Sequence, residues 1–205
     1  LIFVISCSGG GDSSTNPIED NGNQGNSLDF PNANNYGEIG KVEVVTWNIR
    51  QFPQHSTNIN YVKALLEKWN ADIYFLQEIN SESSLREMVN LMPDYSYVLD
   101  DESGNLGFAL VYKNDFITFN SKNELWANTP NNDDGDADYE NNASYQFADR
   151  PPMECYLTWS DGNKSIDFYL IGVHYKCCGD DSYNVNATGD ETTRRHHASL
   201  LLTDY

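Results

Sequence analysis

Short apolar runs and helix-spaced apolar patterns alternate along the chain from residue 41 onward. Runs at residues 42–47 and 72–79 predict two strands, and the second is apolar on both faces, which is typical of a buried strand. Apolar residues between these runs recur every three or four positions and predict an amphipathic helix: Ile59, Val62, Leu66 and Trp69. Ser56, Thr57 and Asn58 are the candidate caps at its start.

Later segments predict two further helices and a set of β-hairpins. Leu85, Met88, Val89 and Met92 mark a helix that Ser81 caps, and residues 192–205 form a last helix. The predicted strands are 95–99, 106–113, 153–159 and 166–174, with turns at 102–105 and 161–163. Strand–helix–strand followed by hairpins favours a mixed α/β fold, with sheets packed face to face and helices outside.

Three polar residues stand at the downstream ends of predicted strands. Asn48 closes the first strand, Glu78 lies near the end of the second, and His174 closes the last. Rigid strands that deliver an amide, a carboxylate and an imidazole to one sheet edge would build a site. The first two groups suit a hard cation such as Mg²⁺, and the imidazole suits proton transfer. The set therefore indicates metal-assisted cleavage of a phosphoester.

The composition supports one globular domain and excludes one class of DNA-binding protein. The 205 residues are 39 % hydrophobic and 13 % aromatic, and the net charge is −19. A broad basic face that holds DNA is not compatible with this charge. A nuclease is still compatible with it, because a divalent cation and a few arginines supply a local positive field.

The N-terminal segment predicts export and lipid anchoring. Residues 1–7 resemble the end of a signal peptide with a lipobox, in which Cys7 becomes the lipidated residue; the alternative is a buried apolar strand. Residues 8–40 are rich in Gly, Asn and Ser and predict a flexible tether before a domain at 41–205. We expect a monomer that contacts the bacterial cell envelope or cell surface only through its lipid anchor.

Three further cysteines are Cys155, Cys177 and Cys178. An exported protein can keep disulfides, and Cys155 is expected to pair with one member of the 177–178 pair. A metal site is the weaker alternative, because no Cys-x-x-Cys spacing occurs.

Five segments in order resemble the motifs of the endonuclease/exonuclease/phosphatase superfamily. The Asn-Ile-Arg-x-Phe form of the first is most similar to the deoxyribonuclease-I-like branch. Segments 44–52 and 71–79 contain Asn48 and Glu78, and segment 108–113 is a hairpin strand. Segments 149–152 and 172–176 contain Arg150 and His174.

This resemblance implies a four-layer α/β sandwich with two packed, mainly antiparallel sheets and outer helices. It implies hydrolysis of a phosphoester with Mg²⁺ or Mn²⁺. Glu78 would bind the metal with help from Asn48, and His174 would act at the leaving oxygen as an acid or a charge stabiliser. Arg50 and Arg150 would contact phosphates; for Arg150, a local pair with Asp149 is the alternative.

The chain departs from the superfamily pattern in two respects. The later Gly-Asp-x-Asn and Ser-Asp-His motifs do not occur in it, so the domain is expected to be incomplete at its C-terminus and inactive as it stands. The Glu that pairs with the first histidine in deoxyribonucleases aligns with Gly107.

Other polar clusters have weaker functional signals. Residues 131–140 form an acidic loop in which Asp134, Asp136 and Asp138 are candidate Ca²⁺ ligands; a solvated insertion is the alternative. Arg194, Arg195, His196 and His197 are expected on a helix, with both arginines on its exposed face.

The resulting hypothesis is an exported, lipid-anchored, metal-dependent phosphodiesterase that acts on nucleic acid. One alternative keeps the fold and changes the substrate, giving a phosphomonoesterase or a sphingomyelinase-like phospholipid diesterase. A second alternative is a surface binding domain without catalytic activity.

Overall fold

A computed structural model describes residues 2–6, 28, 30–101, 106–131, 139–177, 182–184 and 186–205, with the backbone alone at 2–6. The strands are β1 (Ile2–Ser6), β2 (Val44–Phe52), β3 (Ile73–Ile79), β4 (Tyr95–Leu99), β5 (Gly107–Lys113), β6 (Ile117–Glu124), β7 (Met153–Ser160) and β8 (Ser165–His174). The helices are α1 (Asn58–Trp69), α2 (Glu82–Asn90), α3 (Ala143–Gln146) and α4 (Glu191–Asp204).

These strands form two four-stranded sheets, ordered β2-β3-β5-β4 and β1-β8-β7-β6. Only β2–β3 and β1–β8 pair in parallel among the described strands, and the other neighbours are antiparallel. Helix α1 connects the parallel strands β2 and β3. Parallel neighbours need such a crossover connection, so this arrangement agrees with the predicted strand–helix–strand order.

Three apolar clusters define the layers of the fold. The first lies between the β2–β5 sheet and helices α1 and α2, and includes Leu66, Tyr74 and Met88. The second fills the space between the sheets, around Phe75 and Leu157. The third packs β8 against α3 and α4. Helices therefore cover both outer faces, and the predicted four-layer α/β sandwich is confirmed.

The helix caps differ from one another in their chemistry. Ser81 caps α2, where its side chain accepts a hydrogen bond from Ser84 N, as predicted. Asp190 caps α4 in the same way, with Thr193 N as the donor. Thr57 is the N-cap of α1 but makes no side-chain cap bond. Two of these three helix starts are therefore stabilised by a side chain.

Two elements were absent from the sequence prediction. Strand β6 is an edge strand with mostly polar side chains, so it lacks the apolar alternation that marks a strand. Its register with β7 also shifts between Phe119 and Ser121. Helix α3 has four residues, which is too short to show a helical period.

The N-terminal residues pack onto the domain at two places. Strand β1 pairs in parallel with β8, and its last residue, Ser6, is in register with His174. This strand is the alternative interpretation of residues 1–7; Cys7 and residues 8–27 lie outside the described part of the chain. The second place is the segment before residue 41, which contacts helix α1. Tyr36 N donates to Trp69 O at 2.7 Å, and Phe30 packs against Tyr61.

The expected disulfide from Cys155 is wrong. Cys155 is a free thiol on β7, fully buried between the two sheets, in register with Leu170 of β8. Cys177 lies beyond the end of β8 at His174, whereas Cys155 lies opposite Leu170 within that strand. Burial raises the pKa of the Cys155 thiol to about 12.

Among the described residues, no helix is both long and apolar enough to cross a bilayer.

Candidate active site

The structure brings Asn48, Glu78, His174 and Arg150 together at one end of the sandwich. Asn48 and Glu78 stand on neighbouring parallel strands, where Asn48 Nδ2 donates to Glu78 Oε1 at 2.8 Å. His174 ends β8 in the facing sheet, and its Nε2 lies 3.7 Å from the same Oε1 atom. Arg150 enters from the segment before β7. Residues from both sheets therefore meet at a single carboxylate.

A β-bulge turns Glu78 toward the facing sheet. Leu76 and Ile79 both pack on the helix side of β3, which strict alternation along a strand would not allow. The extra residue is Glu78, which has a φ of 63° at the register shift between Gln77 and Ile79. As a result, Gln77 and Glu78 both contact groups on β8. A left-handed conformation at a glutamate costs about 1 kcal/mol or more, so the surrounding structure must impose it.

Asn48 holds the Glu78 carboxylate in place. Its Nδ2 donates to Glu78, and its Oδ1 accepts from Arg50 N at 2.9 Å. A carboxylate can only accept and a backbone N–H can only donate, so these partners determine the orientation of the amide. Gln51 N donates to the other carboxylate oxygen at 3.2 Å. In this arrangement Asn48 presents nitrogen, rather than oxygen, toward the Glu78 carboxylate.

The His174 imidazole is fully buried, and its pKa is lowered to about 4. Desolvation is the main cause, the Arg150 guanidinium adds to the effect, and the Glu78 carboxylate opposes it. His174 is therefore neutral at pH 7, and its approach to Glu78 is not an ion pair at that pH. An imidazole in this state offers one N–H donor and one nitrogen acceptor.

Arg150 lies against His174. Its Nη1 is 3.1 Å from His174 Nδ1 and 3.3 Å from Nε2, and its Nη2 donates to Tyr175 O at 3.3 Å. Arg50, in contrast, is exposed at the end of β2 and has a φ of 45°. Arg150 is thus packed into the site, whereas Arg50 lies at its solvent-exposed edge.

The Glu78 carboxylate fits a Mg²⁺ ion that keeps most of its water ligands. It does not fit a site in which several protein side chains surround the metal ion. Among the described residues, no group of three His, Cys, Asp or Glu side chains is placed to hold a metal ion. Glu78 is the one carboxylate in the cluster of four. Mg²⁺ is commonly bound by one or two carboxylates together with substrate phosphates and water, so this single carboxylate is a sufficient protein anchor.

Two residues near the site were not predicted from the sequence. Gly172 leaves room for the Phe75 ring, because a Cβ at residue 172 would lie 1.7 Å from Phe75 Cζ. Gln77 is fully buried and bonds to the backbone of β8. A glycine within an apolar strand indicates that another group lies close to the backbone there, but the neighbouring residues in the sequence do not show which group it is.

Helix α4 differs from expectation at one arginine. Arg194 was predicted to be exposed, but it is buried, donates to Tyr145 O through Nε at 3.0 Å, and lies over the Tyr145 ring. The reason is that α4 packs against α3, which the sequence did not indicate. His196 is exposed and His197 is buried against Tyr139. The candidate Ca²⁺ ligands Asp134, Asp136 and Asp138 lie outside the described residues.

Comparison with known proteins identifies the fold. No protein-family model and no curated protein sequence matches the chain. A crystal structure of humanized D. rerio TDP2 matches it with a TM-score of 0.52 and 10 % sequence identity, covering 80 % of this chain and 58 % of that one. The chain has the endonuclease/exonuclease/phosphatase fold.

Two other solved structures resemble the chain more distantly. TDP2 from C. elegans matches with a TM-score of 0.47 and 18 % identity, over 68 % of this chain and 37 % of that one. The human Nocturnin catalytic domain with bound sulfate matches with a TM-score of 0.45 and 10 % identity, over 68 % and 52 %. The chain spans between 37 % and 58 % of the length of these three structures.

Proposed function

We propose that this chain forms part of a metal-dependent phosphoester hydrolase whose substrate is a nucleic acid phosphodiester. The observation that carries the proposal is the meeting of Glu78, His174 and Arg150 at the same end of two facing sheets. A carboxylate, a neutral imidazole and a guanidinium are the groups that hydrolysis of an anionic ester needs. The fold and the motif order resemble enzymes of this class, which supports the proposal.

Each residue has a role that its surroundings allow. Glu78 holds the metal ion, and Asn48 keeps its carboxylate oriented through the 2.8 Å hydrogen bond. When bound, Mg²⁺ or Mn²⁺ supplies positive charge at the phosphoryl group. Arg150 and Arg50 bind phosphate oxygens, for which a planar guanidinium is well suited. The chain has a net charge of −19, which repels a polyanion, so binding of nucleic acid depends on the positive charge of the metal ion and the two arginines.

His174 takes part as a neutral imidazole. Arg150 Nη1 is almost equally close to both ring nitrogens, which places the guanidinium over the face of the imidazole, where its positive charge disfavours protonation of the ring. With a pKa near 4, the ring is not the imidazolium that donation to a leaving oxygen requires at pH 7. A pKa this low also makes the ring a weak base at pH 7. We therefore favour hydrogen-bond donation from the neutral ring to a phosphate or leaving oxygen, the charge-stabilising role that the resemblance implies, over the acid role.

Export and lipid anchoring through Cys7 belong to the same proposal, in which cleavage before Cys7 would remove strand β1 from its pairing with β8. A tethered phosphodiesterase would meet nucleic acid outside the cell. The membrane position would equally expose it to phospholipid, so the assay must offer both substrates.

The first experiment uses the whole protein to which this chain belongs, with its N-terminal segment retained, because β1 pairs with β8 and Tyr36 N donates to Trp69 O. It is incubated with plasmid DNA, a sphingomyelin analogue or an aryl phosphate, first with Mg²⁺ and then with EDTA. We expect nicking of the plasmid that EDTA abolishes. Cleavage of the lipid or the monoester alone would overturn the nucleic acid substrate and keep the hydrolase. No cleavage of any of the three, with the protein folded, would contradict the hydrolase and favour a binding domain.

A matched pair of variants links the activity to this site. Glu78→Gln removes the carboxylate charge at nearly constant size, and Glu87→Gln makes the same change on the exposed face of α2. Equal activity of the two variants would exclude Glu78 as the metal anchor.

A further inference from the structure

One buried amide touches all three strands that carry the site. Gln77 Nε2 lies 3.3 Å from Thr46 Oγ1 on β2 and donates to Val173 O on β8 at 3.4 Å. Gln77 itself lies on β3 and is fully buried. The contact with Val173 therefore crosses from one sheet of the sandwich to the other.

The partners of Gln77 are direct neighbours of the site residues. Glu78 follows Gln77, His174 follows Val173, and Asn48 lies two positions after Thr46 on the same face of β2. A change in the Gln77 contacts is therefore transmitted through one or two residues to each site side chain. Because a backbone carbonyl can only accept, the nitrogen of Gln77 must face Val173, which determines the orientation of its amide.

Gln77 is poorly explained as a residue that merely fills the core. Its Oε1 atom is buried and accepts no hydrogen bond from any described residue. A leucine would fill a similar volume and would leave no polar atom unpaired. The distinctive contribution of glutamine at this position is its pair of N–H donors, which connect β3 with β8 and β2.

We propose that Gln77 is a positioning residue that sets the separation between Glu78 and His174 by tying the end of β8 to β3. This inference rests on the proposed hydrolase function, because the separation matters for a reaction in which both side chains act on one phosphate. Gln77 does not itself contact the reacting atoms. Its role is exerted through the strands that carry Glu78 and His174.

The test compares two buried glutamines in the whole protein. Gln77→Leu removes the link between sheets, whereas Gln146→Leu removes a local bond, from Gln146 Nε2 to Asn142 Oδ1 at 2.7 Å within the α3 region. We expect Gln77→Leu to lower kcat roughly 10- to 100-fold, because small displacements of catalytic groups have effects of this size. KM and the urea midpoint of unfolding are expected to change little. Gln146→Leu is expected to keep kcat within about twofold of the parent.

Gln77→Glu adds a readout that a core-filling role would not show. A protonated carboxyl at residue 77 has an O–H that can replace the donor to Val173 O, whereas an ionised carboxylate has none. The ratio of its kcat to that of the parent should therefore rise as the pH is lowered. A ratio that is constant over the pH range in which both proteins are folded would contradict the proposed link.

Amide hydrogen exchange without metal or substrate separates this inference from the hydrolase proposal. Gln77→Leu should speed exchange in residues 171–175 by at least about tenfold, and Gln146→Leu should leave that segment unchanged. Unchanged exchange in Gln77→Leu would overturn the link, whatever the activity. Faster exchange in a protein that cleaves none of the substrates would keep the link, overturn the hydrolase and with it the catalytic purpose of the separation.

Discussion

His174 Nε2 lies 3.7 Å from Glu78 Oε1, although the two residues belong to different sheets and are far apart in the sequence. Two structural features allow this approach. The bulge at Glu78 turns its side chain toward β8, and Gly172, two residues before His174, lets the Phe75 ring lie directly against β8. The site thus depends on how closely the sheets pack as much as on its own side chains.

Replacement of Glu78 by Gln should abolish metal-dependent turnover while the fold persists. The carboxylate is the single anionic ligand in the cluster of four, and a neutral amide binds Mg²⁺ weakly. We expect a loss of at least 100-fold in kcat/KM at low Mg²⁺, with partial recovery as Mg²⁺ is raised. Turnover across a Mg²⁺ titration, together with circular dichroism, provides the check; full turnover at low Mg²⁺ would contradict the assignment.

The stability of the protein should fall on acidification because of His174. Its folded pKa, about 4, is below the ordinary value of 6.5, so the unfolded chain binds the proton more tightly. The stabilisation is complete above pH 6.5 and is lost as the pH falls from about 6.5 to about 4. A shift of this size corresponds to on the order of 3 kcal/mol. Urea unfolding at pH 7 and pH 4.5 measures it.

The matched variants for this pH effect are His174→Gln and His55→Gln, the second at an exposed position. His174→Gln should flatten the dependence between pH 4 and 6.5, and His55→Gln should not. A residual slope is expected from His197, whose pKa is also lowered by burial and by His196. A slope that is identical in all three proteins would show that His174 is not buried in its neutral form.

Gly172→Ala should destabilise the protein by about 1–3 kcal/mol, as overpacking of a core does. The added methyl group would lie 1.7 Å from Phe75 Cζ, so the buried Phe75 ring or the strand must move. Denaturant unfolding measures the loss. The double variant with Phe75→Leu should recover part of it, so the two changes should be non-additive. Simple additivity would mean that the ring and the strand are not in contact.

Ser81→Ala should lower stability by about 1 kcal/mol, because the Ser81 side chain accepts a hydrogen bond from Ser84 N at the start of α2. Thr57→Ala is the matched control, since Thr57 occupies the same position in α1 without a side-chain cap bond. Thermal unfolding of the two variants should therefore differ. Equal losses would indicate that the serine does not act as a cap.

Much of the secondary structure and the fold class could be predicted from local patterns. The apolar runs that end at Asn48, Glu78 and His174 are strands, and Ser81 caps the helix that its position predicts. These features depend on interactions between near neighbours in the chain, whose signals lie in side-chain spacing and capping preference. The polar strand β6 and the short helix α3 carry no such signal, because their partners rather than their own residues define them.

Local patterns of apolar residues were enough to place Asn48, Glu78 and His174 near the ends of strands. Tertiary structure alone decided how they meet: the bulge that turns Glu78, the burial that keeps His174 neutral, and the amide of Gln77 that connects the sheets. It also decided that Cys155 is buried without a disulfide and that Arg194 packs on Tyr145. The physical reason is that distance, burial and electrostatic environment between segments remote in sequence arise only when the layers pack.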